Sequence, residues 1–381
     1  MERTSFIEQI KKAFRVNPIV AILGPRRCGK TTLARQYINQ FSQKIPIENY
    51  FDLEDITDIA RLTKPKLTLE NLEGLIVIDE IQRIPDLFPT LRVLVDKPQC
   101  KQTYLILGSA ARELIQQSSE TLAGRISYIE LTPFTYMEMQ QEERLWMRGG
   151  FPQSYLAKNM EESYDWRQAY IQSFLEQDIP MLGIKVAPLQ LRRFWMMITH
   201  YHGNVVNASE IGRSLSLSYK TTQHYLDILS STFMIRQLQP WFENIAKRQV
   251  KSPKIYFRDS GILHALMGIS DKSALLTHPK LGASWEGFAM EQILCYHQAI
   301  PQECYFWAVH NQGELDLLII KNGKRLGFEI KHTDAPTLTS SIKMALEYLQ
   351  LDKLVIIYPG KKNFRLAKNV EVWGFESYLQ Q

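Results

Sequence analysis

Residues 19–32 read IVAILGPRRCGKTT, and this stretch decides the fold. Ile19, Val20, Ala21, Ile22 and Leu23 form an apolar run of strand length, bounded by the first glycine. Gly24, four residues, Gly29, Lys30 and Thr31 then complete the phosphate-loop pattern G-x-x-x-x-G-K-[ST]. A helical run, 31–41, follows at once. The order has a mechanism. Glycines let the backbone wrap round phosphate oxygens, and loop amides with a helix N-terminus supply partial positive charge. Lys30 is placed to reach β- and γ-phosphates and the Thr31 hydroxyl to ligate Mg²⁺. The candidate nucleotide-binding set is therefore Gly24, Pro25, Arg26, Arg27, Cys28, Gly29, Lys30, Thr31 and Thr32. Arg26 and Arg27 add positive charge or are solvated; Cys28 is read as a small loop residue.

Working outward, Leu75, Ile76, Val77 and Ile78 run straight into Asp79 and Glu80. An apolar strand ending in two acids behind a phosphate loop supplies the other half of an ATP site. Asp79 is the expected second Mg²⁺ group and Glu80 the group that orients or deprotonates the attacking water. Tyr104–Leu107 forms a further strand ending at Gly108 and Ser109, and Ser109 is the candidate polar contact to the γ-phosphate. Arg125 precedes a strand at 127–131. It reaches a γ-phosphate of its own or a neighbouring subunit, or is a surface arginine. Alternating strands and helices imply a mostly parallel, doubly wound sheet over 1–145.

Gly149, Gly150 and Pro152 break this pattern, and 146–202 reads as a helical linker or lid. Glu176, Asp178 and Pro180 lie between two helical runs, as a hinge or a contact. Residues 203–260 read as a winged-helix-like module. Asn207 and Glu210 have capping-box spacing, Ser218 can cap a second helix, and 233–238 and 255–257 are the wing strands. Arg213, Lys220, Lys247, Arg248, Lys251 and Lys254 are candidate DNA-phosphate contacts. The alternative is a module used for packing or protein contact.

Residues 261–381 carry a helix with Glu286 on its apolar stripe, and then GELDLLII with Glu314 and Asp316. An Asn322-Gly323 hairpin signal follows, and then RLGFEIKH. Glu329 and Lys331, two apart, share one strand face. Asp316 and Glu329 are candidates to share a divalent metal, with Lys331 positioning water.

The chain has 381 residues, 45% hydrophobic, with formal net charge +5. Two or three domains fit that length, and the mild basicity permits nucleic acid as a partner without arguing for it. The four cysteines, Cys28, Cys100, Cys295 and Cys304, have no metal-ligand spacing. No apolar run approaches the roughly 20 residues of a membrane span, and no signal-peptide core is present. A cytoplasmic protein with no membrane partner is expected.

Taken together, GPRRCGKTT, IDEIQ, GSA, LAGR, GGFP, EQDIP, KSPKIYFRDSG, WEGFAMEQ, GELDLLI and FEIKH cover nearly the whole chain. They resemble the bacterial and archaeal AAA+-type P-loop ATP-binding proteins whose C-terminal half is a nuclease-like domain of unknown function. The resemblance implies an α/β fold: an AAA+/ASCE-like parallel sheet, a winged helix and a restriction-endonuclease-like α/β domain. It implies ATP and Mg²⁺ at Gly24, Gly29, Lys30, Thr31, Asp79 and Glu80. Ser109 departs from the asparagine common at its position. Glu286, Asp316, Glu329 and Lys331 match a PD-(D/E)xK core, active or inactive. An ATPase coupling nucleotide state to a DNA- or partner-engaging half is the first expectation. A slow switch or scaffold and an ATP-gated nuclease are the alternatives, with a homo-oligomer open to each.

Overall fold

In the computed structural model, strand β1 (Ile19–Leu23) is buried along its whole length. The structure describes residues 2–40, 45–110, 122–242, 250–310 and 312–381. Two compact units emerge. The first comprises Met1–Pro133, Ser173–Val186 and Ser231–Phe233; the second comprises Phe134–Gln172, Ala187–Ser230 and Met234–Gln381.

In the first unit β1 is joined by β2 (Tyr50–Asp52), β3 (Gly74–Asp79), β4 (Gln102–Gly108) and β5 (Ile126–Glu130). Among the described residues these form one parallel sheet in the order β2-β3-β4-β1-β5. Strand alternation divides its core in two. Ile19, Ala21, Ile76, Ile78, Tyr104 and Ile106 pack on one face; Val20, Ile22, Leu75, Val77, Leu105 and Leu107 pack on the other. A sheet apolar on both faces needs cover on both, which is why these strands read as continuous apolar runs. Each such side chain contributes roughly 1.5–3 kcal/mol when fully buried. β4 stands between the strand that carries the two acids and the strand that feeds the phosphate loop.

In the second unit, helix Ala208–Leu215 is capped by Asn207, whose side chain accepts from the Glu210 amide. Helix Tyr219–Ser231 follows. Strands β6 (Asn204–Val205), β7 (Ile235–Pro240) and β8 (Lys254–Phe257) pair antiparallel in the order β7-β8-β6. β7 continues into a larger sheet through β9 (Cys304–Val309). Beyond it lie β10 (Gly313–Lys321), β11 (Lys324–Ile330), β12 (Lys353–Tyr358), β13 (Phe364–Ala367) and β14 (Val370–Gly374). Asn322 and Gly323, with φ of 52° and 75°, make the two-residue hairpin that their sequence predicts. Helix Leu281–Tyr296, β9, β10, β11, helix Ser340–Leu349 and β12 follow one another along the chain. β13 and β14 come after β12. Among the described residues, no helix is long and apolar enough to cross a membrane.

Candidate functional site

The phosphate loop leaves the carboxyl end of β1 and enters helix Lys30–Ile38. Gly29 holds φ +102°, a conformation that L side chains rarely adopt. A Cβ on Gly24 would stand 2.2 Å from the Leu131 carbonyl oxygen, so the loop can run this close to its neighbour only as glycine. Lys30, 5% exposed, turns its ammonium inward and donates to Gly24 O at 3.1 Å and Pro25 O at 3.0 Å. Pro25 and Cys28 are also buried, whereas Arg27 and Thr32 are exposed. Burial raises the Cys28 thiol above its ordinary pKa, so it is a packed loop residue rather than a nucleophile.

β3 ends beside β4, and the pairing brings the acids to the loop. Thr31 Oγ1 donates to Asp79 Oδ2 at 2.7 Å, and the Tyr50 hydroxyl donates to the same oxygen at 3.1 Å. Burial pushes the Asp79 carboxyl above its ordinary range, against the pull of the Thr31 hydrogen bond. A hydroxyl and a nearly buried carboxylate on one spot are the oxygen donors a Mg²⁺ ion takes with phosphate. The residues present therefore fit that ion. Glu80 has φ +55°. Its carboxylate accepts from Ser109 Oγ at 2.9 and 3.0 Å and from the Gln82 amide. Thr31, Asp79, Glu80 and Ser109 thus gather at the carboxyl ends of the sheet.

Arg26 is drawn into the same corner. Its guanidinium donates to Asp178 Oδ1 at 2.7 Å and pairs with Glu54. Burial opposes the Arg26 charge and the two carboxylates more than restore it, leaving its pKa raised. Arg26, Glu54, Glu80, Gln82, Ser109 and Asp178 line one small cavity. Tyr50, Glu54 and Gln82 were not singled out from the sequence, and Asp178 was left as a hinge or a contact. Gln82 and Asp178 were signalled only by membership of IDEIQ and EQDIP, and no spacing rule ties any of the four to the loop.

Arg125 is not part of this site. The Ile19 amide donates to its carbonyl, and β5 pairs with β1 from Ile19↔Ile126 onward. It therefore stands at the start of β1, a strand length of roughly 16 Å from the loop. There it grips Asp96 bidentately at 2.5 and 2.9 Å. The reading of Arg125 as a group acting on its own subunit's γ-phosphate is withdrawn.

In the second unit the Asp316 charge acts on Glu286, Glu329 and Lys331. Asp316 sits where β10 shifts register against β9 between Leu315 and Leu318, a bulge that re-aims side chains. Its Oδ2 accepts the Ile330 amide at 2.9 Å. Glu286 Oε1 accepts from the Tyr256 hydroxyl at 2.6 Å, and Lys331 pairs with Glu329 Oε1 at 2.8 Å. Burial lifts the Glu286 and Glu329 carboxyls well above the ordinary range, with the Asp316 charge adding to it. Lys254, expected among DNA contacts, is instead 2% exposed on β8 and pairs with Glu314, with Asp316 Oδ1 at 3.8 Å. A buried ammonium locked to carboxylates does not meet a phosphate backbone. Arg213, Lys220 and Lys251 are exposed; Lys247 and Arg248 lie outside the described residues.

Comparison with known proteins matches three successive stretches of the chain. Residues 16–140 match the AAA domain family, and 139–273 and 281–378 match two domains of unknown function, DUF8612 and DUF4143. Uncharacterized proteins of Mycobacterium bovis and Mycobacterium tuberculosis are each 45% identical over 372 residues, 97% of this chain and 83% of theirs. The Walker-type ATPase of Pyrococcus abyssi aligns with TM-score 0.50 at 14% identity, over 70% of this chain and 95% of its own, a likeness of fold.

Proposed function

From the premise that this chain belongs to the AAA-type P-loop ATPases with a C-terminal domain of unknown function, we propose that it hydrolyses Mg²⁺-ATP and uses nucleotide state to control its C-terminal half. The carrying observation is the convergence of Lys30, Thr31, Asp79, Glu80 and Ser109 at the carboxyl ends of β1, β3 and β4. Lys30 exchanges two backbone carbonyls for phosphate oxygens. Thr31 and Asp79 would hold Mg²⁺, which when bound would supply positive charge to offset that of the phosphates. Glu80 takes the proton of the attacking water, and Ser109 lies within reach of the γ-phosphate.

The partner-engaging part is read as winged-helix-like. Two helices followed by paired β7 and β8 support it, with exposed Arg213, Lys220 and Lys251 available to DNA phosphates. Phosphate release with and without DNA tests the whole reading. Wild-type protein is expected to turn over ATP, Lys30→Ala to lose it, and Glu80→Gln to bind ATP without turnover. Equal phosphate release by wild type and Lys30→Ala overturns the reading.

A second reading, a nucleotide switch with slow turnover, draws on Glu80. A carboxylate that already accepts from Ser109 and Gln82 is a weakened base. A third, an ATP-gated nuclease, draws on the helix-strand order around Glu286, Asp316, Glu329 and Lys331, and needs a divalent ion there.

A further inference from the structure

A nuclease reading of the second unit implies a divalent ion among Glu286, Asp316 and Glu329, and the residues do not fit one. Such an ion takes about six oxygens at 2.0–2.6 Å. Here Asp316 Oδ2 accepts the Ile330 amide, Glu286 Oε1 accepts the Tyr256 hydroxyl, and Glu329 Oε1 faces the Lys331 ammonium. Glu329 Oε2 is buried without a hydrogen-bond partner, and Asp316 Oδ1 faces an ammonium rather than a divalent ion. Among the described residues, no three His, Cys, Asp or Glu side chains form a group that could hold a metal ion.

The place is taken by another cation. Lys254 enters from β8. It is 2% exposed and its ammonium pairs with Glu314 and faces Asp316 Oδ1 at 3.8 Å. The Phe306 ring lies 5.5 Å from the same nitrogen. A divalent ion at Asp316 would stand within a few ångströms of this ammonium, where repulsion in a poorly solvated site is severe. Lys254 itself has nowhere to withdraw, since its side chain is enclosed.

We propose that Lys254 is the resident cation of this cluster, holding Glu314 and Asp316 in place of a divalent metal, so that the second unit does not carry out metal-dependent cleavage. A nuclease-like frame with an internal ammonium keeps its shape and its carboxylate geometry while losing the Lewis acid. The ATPase reading stands or falls separately, because its oxygen donors lie in the other unit.

Mn²⁺ binding, followed by electron paramagnetic resonance and calorimetry, tests this. An Asp79→Asn background silences the phosphate-loop side. With Lys254 present, Mn²⁺ uptake below about 1 mM is expected to be the same with Asp316 and with Asp316→Asn. Lys254→Met is expected to gain one Mn²⁺ equivalent that Asp316→Asn removes again. Asp316-dependent uptake with Lys254 present overturns the proposal, as does a folded Lys254→Met protein that gains none. Should Lys254→Met fail to fold by circular dichroism, the Asp316 and Asp316→Asn pair decides alone, and Lys254→Arg is expected to behave as the native chain.

Discussion

The Arg26 guanidinium of the phosphate loop donates to Asp178 Oδ1 at 2.7 Å, joining residues 152 positions apart in sequence. Asp178 is 5% exposed and its carboxyl is pushed up by burial, with Arg26 pulling it back. The pair competes with any phosphate that Arg26 would meet. Asp178→Asn is expected to tighten ATP binding about threefold to tenfold, on the order of one charge-assisted hydrogen bond. Titration with a fluorescent nucleotide checks this, and unchanged or weaker binding contradicts it.

Glu80 is held twice, by Ser109 and by Gln82. Gln82→Ala removes one of the two donors on the Glu80 carboxylate and is expected to raise the turnover rate about threefold to tenfold, with little change in KM. Steady-state phosphate release reads the rate directly. A fall would make Gln82 a necessary positioning residue instead.

Gly24→Ala places a methyl 2.2 Å from the Leu131 carbonyl oxygen, a backbone atom that cannot swing aside. A loss of more than about 2 kcal/mol is expected, with nucleotide binding lost alongside. Urea denaturation and nucleotide titration of the same variant measure both.

Arg125→Ala removes a bidentate grip on exposed Asp96 at the far end of the sheet. Turnover is expected to stay within twofold of wild type at protein concentrations where single copies prevail. A loss confined to high concentration would assign Arg125 a role across a subunit boundary.

Buried histidines make the second unit acid-sensitive. Burial lowers His202 and His264 to about 3, against an unfolded value near 6.5. Their contribution is complete above pH 6.5 and is lost as the unfolded chain takes up protons below it. The slope approaches roughly 2.7 kcal/mol per pH unit for the two together. His202 Nδ1 accepts the Phe257 amide at 3.0 Å, a role an Asn oxygen can take. His202→Asn is expected to flatten the acid slope by about 1.4 kcal/mol per unit in denaturant titrations.

The parallel sheet was legible because each of its main strands is covered on both faces and so reads as an apolar run. The phosphate loop and the Asp79-Glu80 pair were legible because their chemistry fixes their spacing. The choice among the readings of Arg125 was not legible because a strand's amino and carboxyl ends look alike in sequence, and only register places it at the start of β1. Lys254 was misread because a lysine near a strand gives no sign of direction. Its burial depends on Glu314 and Asp316, some 60 positions away, arriving on β10. The role of Asp178 was not legible, since its partner lies in the loop at Arg26, 152 positions away.

The first unit is stitched from three separated stretches, with Asp178 in the second and Thr232 in the third. It is thus not a cassette that recombination can move in one piece. A crossover anywhere in residues 134–172 would carry the phosphate loop away from the acid that holds Arg26. The phosphate loop and the stretch that carries Asp178 must therefore travel together for the Arg26 pair to persist.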